Sequence, residues 1–268
     1  MTDSTRPVIA LLTDFGLSDP YVGMMKAAIL EVAPDAAIID LSHDIRPQAI
    51  RQGAFLLAAS LPYLPKRSVT VAVVDPGVGT DRRPLALRVG RRWLVGPDNG
   101  LFYRVWNSAP SDSRRAYLLD RPEYWRPVIS DTFHGRDIFA PIAAHLAAHL
   151  AAGADIVQLA SPTLQIEPMP STGPEQAADG SWRLTIEHID RFGNLITNLP
   201  AADLPGPSTS LTFTIAGETA VGVGSNYDSP DRLIAVVGSL DHLEIAAPSG
   251  SAAEITGASI GDFIIMST

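Results

Sequence analysis

Over the first 160 residues, short runs of β-branched and aliphatic residues alternate with longer amphipathic stretches, and past about residue 181 the longer stretches stop. This change of period constrains the fold most. VIALL (8–12), AIIDLS (37–42) and SVTVAVV (68–74) have the length and content of buried strands. Between them lie a predicted helix from Pro20 to about Ala33, with Met24, Met25, Ala28, Ile29 and Val32 on its apolar face, and another from about Gln48 to Ala59. LALRVG and RWLVGP, within 85–97, read as a hairpin, and an alanine-rich helix is predicted from about Asp137 to Ala152. The β-α-β-α-β order predicts an α/β domain with a largely parallel central sheet over residues 1–160.

Residues 161–181 are rich in proline without periodicity and read as a linker. From 182 to 268 the segments are short and β-rich (WRLTIEHID, NLITNL, SLTFTIAG, TAVGVG, LIAVVG, HLEIAA and DFIIMS), with turn residues between them. No helical period survives there. The expectation is a small antiparallel β-barrel domain.

Composition removes several kinds of chemistry. The chain has no cysteine, so a thiol nucleophile, a disulfide and a thiolate zinc site are all excluded. The net charge is −9 and the basic residues never cluster beyond pairs, which argues against a nucleic-acid partner. MTDSTRP is polar and no apolar run approaches the length of a membrane span, so a soluble cytoplasmic protein with no membrane partner is expected.

Ligands of open α/β sheets bind beyond the carboxyl ends of the strands, and Asp14, Asp75 and Asp98-Asn99 all follow predicted strands. Asp14 lies in TDFG, the triplet that holds magnesium in kinases, but the kinase order of glycine-rich loop, strand lysine and catalytic loop ahead of that triplet is not met. A strand-end carboxylate can instead accept hydrogen bonds from a ribose diol, or simply cap its own turn. The glycine-rich DPGVG turn lacks the GK[ST] of a phosphate loop. Asp75, Arg82 and the lone His134 of TFHGRD can together hold and polarise one water, or can be an exposed ion pair and a helix cap. His43 with Asp44, and His145 with His149, are candidate metal ligands, although the second pair lacks the glutamate of an HExxH site. In IDRFGNLITN an aromatic ring and a planar amide stand close enough in sequence to read the face and edge of a purine, or to form an ordinary hairpin.

Taken in order, TDFGxxDxYVG, HxIxP (43–47), VDPGVG, GPDNGLF, FHGRDIFAPxAA and IDxFGNLITN resemble the S-adenosyl-L-methionine hydroxide adenosyltransferase family, relatives of the fluorinase and chlorinase. The resemblance runs from residue 8 to about 265. It implies an N-terminal α/β domain, a C-terminal β-barrel domain, and a homotrimer that binds its ligand between neighbouring subunits. The implied reaction is S-adenosylmethionine plus water giving adenosine and methionine, with no cofactor and no metal. Asp75, Arg82 and His134 match the family's water-activating set. Asp14 would meet the ribose hydroxyls and Asp19 the methionine amine. Asp190 would help to hold the methionine end, Phe192 and Asn194 would contact the adenosine, and Ser239 would meet the methionine carboxylate. Ser251 stands where an asparagine is usual in the adenine-contacting segment LEIAAPSGSAA, and Leu240 replaces an arginine that clamps the carboxylate in the fluorinase. Halogenating relatives have tyrosine at the position of Asp75 and lack the histidine. A charged Asp75 would repel chloride, which favours hydrolysis over a chloride-dependent transferase; a non-catalytic S-adenosylmethionine or adenosine binding module, whose binding residues would look the same, is the other alternative.

Overall fold

The structure, a computed structural model, describes residues 6–152, 158–170, 173–205 and 210–267, which fall into two compact units, Met1–Met169 and Pro170–Thr268. In the first unit the chain forms β1 (Val8–Thr13), α1 (Tyr21–Val32), β2 (Ala37–Ser42), α2 (Ile50–Ser60), β3 (Val69–Val73), β4 (Pro84–Val89), β5 (Arg92–Pro97), α3 (Tyr103–Ser108), β6 (Arg114–Leu118), α4 (Ala140–Ala152) and β7 (Ser161–Thr163). The sheet order is β2-β1-β3-β5-β4-β6-β7. Pairings from β2 through β5 are parallel, and those from β5 through β7 are antiparallel. The sheet is therefore mixed, with its parallel half built by the predicted crossovers.

Burial on both faces explains why these strands read as continuous apolar runs. Ile9 and Leu11 of β1 pack with Met25 and Ile29 of α1 and with Ile142 and Ala143 of α4. Ala10 and Leu12 turn to the other face, against Ala54 and Leu57 of α2 and Val105 of α3. Each buried Ile, Leu, Met or Val side chain among these, removed from water, contributes about 1.5–3 kcal/mol. On α1 the buried residues are Val22, Met25, Ala28 and Ile29, whereas Met24, expected on the apolar face, is exposed.

The helix that carries FHGRD departs from expectation at its start. Gly135–Phe139 form a π-helical turn, and the α-helix begins only at Ala140. Pro141 has no N–H with which to bond the Asp137 carbonyl four residues back. That carbonyl accepts from Arg126 N instead, at 2.9 Å.

The stretch expected as linker contains paired backbone. β7 is the edge strand of the first sheet, and β8 (Glu175–Gln176) pairs with β9 (Trp182–Ile189). The second unit continues with β10 (Leu195–Pro200), β11 (Thr212–Ile215), β12 (Glu218–Val221), β13 (Val223–Gly224), β14 (Ile234–Val237), β15 (His242–Ala246), α5 (Ala252–Thr256) and β16 (Phe263–Ser267). Its sheet runs β12-β11-β16-β9-β10-β15-β14-β13. The strands at the two ends of this path, β12 and β13, are joined in sequence by Gly222 alone, whose φ of 71° is open to glycine at no steric cost. A sheet whose first and last strands are one residue apart must curl onto itself, so it is nearly a barrel. Leu184, Ile186, Leu195, Phe213, Ile245 and Ile264 fill it. The short α5 is an element that the period of the sequence did not predict.

Candidate active site

Three adjacent parallel strands, β1, β3 and β5, end at one edge of the first sheet and deliver Asp14, Asp75 and Asp98 there. Their environments separate their uses. Asp98 is taken up by the scaffold: Arg83 donates to Oδ2 from both Nε and Nη2, and Glu167 N donates to Oδ1 at 2.7 Å. Neighbouring Asn99 donates from Nδ2 to the Val74 carbonyl at 2.9 Å and so fixes the backbone just before Asp75.

Asp75 faces Arg82 across the glycine-rich turn. Arg82 Nε lies 3.1 Å from Oδ1 and 2.9 Å from Oδ2, and Nη2 lies 2.6 Å from Oδ2. The Arg82 and Asp75 side chains are only 9% and 4% exposed. The same Nη2 is 2.7 Å from His134 Nδ1, and the guanidinium sits 5.1 Å from the centroid of the Phe139 ring. The sequence-predicted trio is thus one connected cluster, drawn from the β3–β4 turn and the residue before the π-helical turn. Gly79 makes this approach possible: at φ 78°, a Cβ there would run into the Asp131 carbonyl. Burial, then the charge of Arg82, hold the His134 imidazolium below the usual histidine range. The other charges of FHGRD are satisfied locally, since Arg136 Nε donates to the fully buried Asp137 at 2.6 Å and Ser130 N donates to Asp137 Oδ2 at 2.9 Å.

Asp14 is half-buried, and its Oδ2 accepts from Gln48 N at 2.8 Å. Burial raises its carboxyl above the usual range, and the negative charge of Asp75 adds to this although two backbone hydrogen bonds oppose it. The two carboxylates therefore share one electrostatic space. Asp19 is exposed at the entry to α1, with no side-chain partner among the described residues.

Two features beside this edge escaped sequence reading. Thr13 Oγ1 lies 2.8 Å from His43 Nδ1, His43 Nε2 lies 3.1 Å from Asp40 Oδ1, and Lys26 Nζ reaches Asp40 Oδ2 at 2.6 Å. This chain holds the residue before Asp14, and Gly16 N donates to the His43 carbonyl. His43, a candidate metal ligand by sequence, engages both ring nitrogens here, while His145 and His149 set their rings edge-on to Tyr124. Phe15, Tyr21 and Phe133 form the second feature, a set of edge-to-face rings with centroids 5.3–6.1 Å apart.

In the second unit Asp190, Phe192, Asn194 and Ser239 all line one pocket of about 530 Å³. Asp190 Oδ1 accepts from Phe192 N and Asn194 N, both at 2.9 Å, and Oδ2 accepts from Asn194 Nδ2 at 3.0 Å. The carboxylate thus sets the FGN turn that presents Phe192, 76% exposed, and leaves Asn194 Oδ1 as an acceptor. Gly193, at φ 83°, packs its Cα against Ser251. Ser251 itself caps α5 by accepting from Glu254 N at 3.1 Å. The sequence did not reveal that His188, Tyr227 and Glu244 share the pocket. Tyr227 donates to Glu244 Oε1 at 2.6 Å. Burial raises the Glu244 carboxyl, and this hydrogen bond is the main reason the Tyr227 phenol is pushed up to about 12.

Two family models match the chain: SAM hydroxide adenosyltransferase N-terminal domain over residues 9–156 and C-terminal domain over residues 184–265. The chain belongs to this family. Its family relatives include an (R)-S-adenosyl-L-methionine hydrolase of Thermus thermophilus, 43% identical, with 94% of this chain and 96% of the relative covered. A protein of the same name from Salinispora tropica is 38% identical, with 96% of each chain covered. A fluorinase of Nocardia brasiliensis is more distant, at 28% identity over 81% of this chain and 80% of the fluorinase. An uncharacterized conserved protein from Thermotoga maritima has a similar solved structure, with TM-score 0.87 and 29% identity over 97% of this chain and all of that one (100%).

Proposed function

We propose that this member of the family hydrolyses S-adenosyl-L-methionine to adenosine and L-methionine by attack of water at ribose C5′. The Asp75–Arg82–His134 cluster carries the reading, together with relatives named as hydrolases of that substrate. In the reaction the water oxygen bonds to C5′ and the C5′–S bond breaks with its electron pair moving to sulfur. The departing methionine is a neutral thioether that needs no acid. What remains for the protein is to place the water opposite sulfur and remove a proton from it.

The hydrogen bonding supports a division of labour in that step. His134 Nδ1 faces an Arg82 N–H and so acts as acceptor, which puts the proton of the neutral imidazole on Nε2, where it orients the water by donation. Asp75 Oδ1 accepts only the longest of the Arg82 bonds, 3.1 Å, and keeps a lone pair for the water proton. Arg82 stabilises the hydroxide character that develops. Asp14 takes the ribose hydroxyls, Asp19 the amine, Asp190 the methionine end beside the turn it fixes, Phe192 and Asn194 the adenosine, and Ser239 the carboxylate. The ligand lies between neighbouring subunits of a cytoplasmic homotrimer.

Turnover of S-adenosylmethionine in ¹⁸O-labelled water, with and without chloride, tests the chemistry. Labelled adenosine in both arms is expected. Unlabelled adenosine, or a 5′-chloro nucleoside in the chloride arm, would refute direct water attack. Mixing inactive Asp75→Asn and Asn194→Ala proteins, with refolding to exchange subunits, should restore partial activity if sites are shared.

A further inference from the structure

The pocket of the second unit has a one-sided charge. Asp190 and Glu244 are its acids, and no lysine or arginine among the described residues lines it. His188 does not supply the missing cation, because burial holds its imidazolium below the usual range. Tyr227 is committed to Glu244. Of the arginines in this unit, Arg183 pairs with Glu175 and Arg232 with Glu218, while Arg191 is exposed and does not line the pocket. Leu240 faces the space beside Ser239.

S-adenosylmethionine brings two positive groups, the sulfonium and the amine, and one negative group, the carboxylate. A pocket holding carboxylates and no cation complements only the first two, even with Glu244 neutral. Within this pocket a carboxylate meets neutral donors only, Ser239 among them, and is desolvated without a charged partner from the described residues of this unit. We infer that the substrates of this site include S-adenosyl sulfonium compounds that keep the amine but lack the α-carboxylate, with Leu240 as the residue that sets this tolerance.

The inference rests on the hydrolase reading and extends it. The chemistry balances in the same way: water oxygen bonds to C5′, the C5′–S pair moves to sulfur, a proton passes to Asp75, and the products are adenosine and a methylthio-propylamine whose sulfur is neutral and whose amine keeps its positive charge. S-adenosylmethionine and its decarboxylated analogue should be compared by kcat/KM for adenosine release and, using the Asp75→Asn protein, by calorimetric Kd. The analogue is expected to match or exceed the parent in both. A tenfold or greater loss in Kd for the analogue would overturn the inference, whether or not either compound is turned over. Absence of adenosine from both compounds with Kd values alike would refute the hydrolase reading and leave the charge preference standing. Leu240→Arg should lower KM for S-adenosylmethionine by about tenfold and not that of the analogue, as one charge-assisted hydrogen bond allows. If Arg191→Ala alone raises KM for S-adenosylmethionine tenfold and leaves the analogue unchanged, Arg191 is the carboxylate's partner and the inference fails.

Discussion

Arg82 Nη2 donates to His134 Nδ1 across 2.7 Å, which this nitrogen can accept only while the imidazole is neutral. Because burial and Arg82 lower the His134 pKa from 6.5, the neutral form persists below that pH and is lost as pH falls through the lowered value. The acid limb of kcat should therefore lie below pH 6.5. His134→Gln, whose amide oxygen can still accept from Arg82, should flatten that limb while kcat drops about 10²-fold, as loss of a positioned proton-handling group does. The linkage to stability has the same sign: the unfolded chain binds the proton more readily, so folding stability is untouched above pH 6.5 and declines below it.

Among the described residues, Arg82 is the positive partner of a nearly buried Asp75. Arg82→Ala should cost about 3–5 kcal/mol in urea unfolding, since it strands a buried carboxylate. Arg82→Lys keeps the charge but loses the fork that spans both Asp75 and His134, so it should fold yet lose about 10²-fold in kcat.

Thr13 and His43 touch no proposed reacting atom; they fix the backbone from which Asp14 projects. His43→Ala should raise KM about tenfold with a smaller change in kcat. Substitution by Asn, which can still bond to Thr13, should recover part of the loss. Equal falls in kcat and kcat/KM would show instead that His43 acts on the chemical step.

Gly79→Ala places a methyl against the Asp131 carbonyl at a backbone angle that disfavours any side chain. The two loops that carry Arg82 and His134 would have to part. A loss of about 2 kcal/mol or more in stability is expected, with kcat falling further than that loss of folded protein explains. Gly90→Ala, where nothing lies within 4 Å, is the control for φ strain alone.

Spectrophotometric titration of the Tyr227 phenol should show ionisation near pH 12 in the folded protein, against about 10 for a free tyrosine. Glu244→Gln should return it toward the free value by removing the carboxylate that holds its proton. Tyr227→Phe, which leaves the buried Glu244 without its donor, should cost about 1–3 kcal/mol.

Much of this protein is legible without coordinates because its information is local. Alternation of periods defines the strands and helices of the first unit, and acids that follow strand ends single out the sheet edge where Asp14, Asp75 and Asp98 gather. The change to short β segments announces the barrel. What local pattern could not supply is which strand-end acid is free. Asp14, Asp75 and Asp98 look alike in sequence, yet Asp98 is consumed by Arg83 and Glu167, partners 15 and 69 residues away. His43 looked like a possible metal ligand until the fold brought Thr13 to one ring nitrogen and Asp40 to the other. Glu244 and Tyr227 gave no signal, since a buried acid in a strand reads as an exposed one until its neighbours are known. Sequence determines periodicity and local chemistry through short-range sterics and burial. The charge state and availability of each functional group depend on desolvation and on partners distant in the chain, so only the tertiary structure decides them.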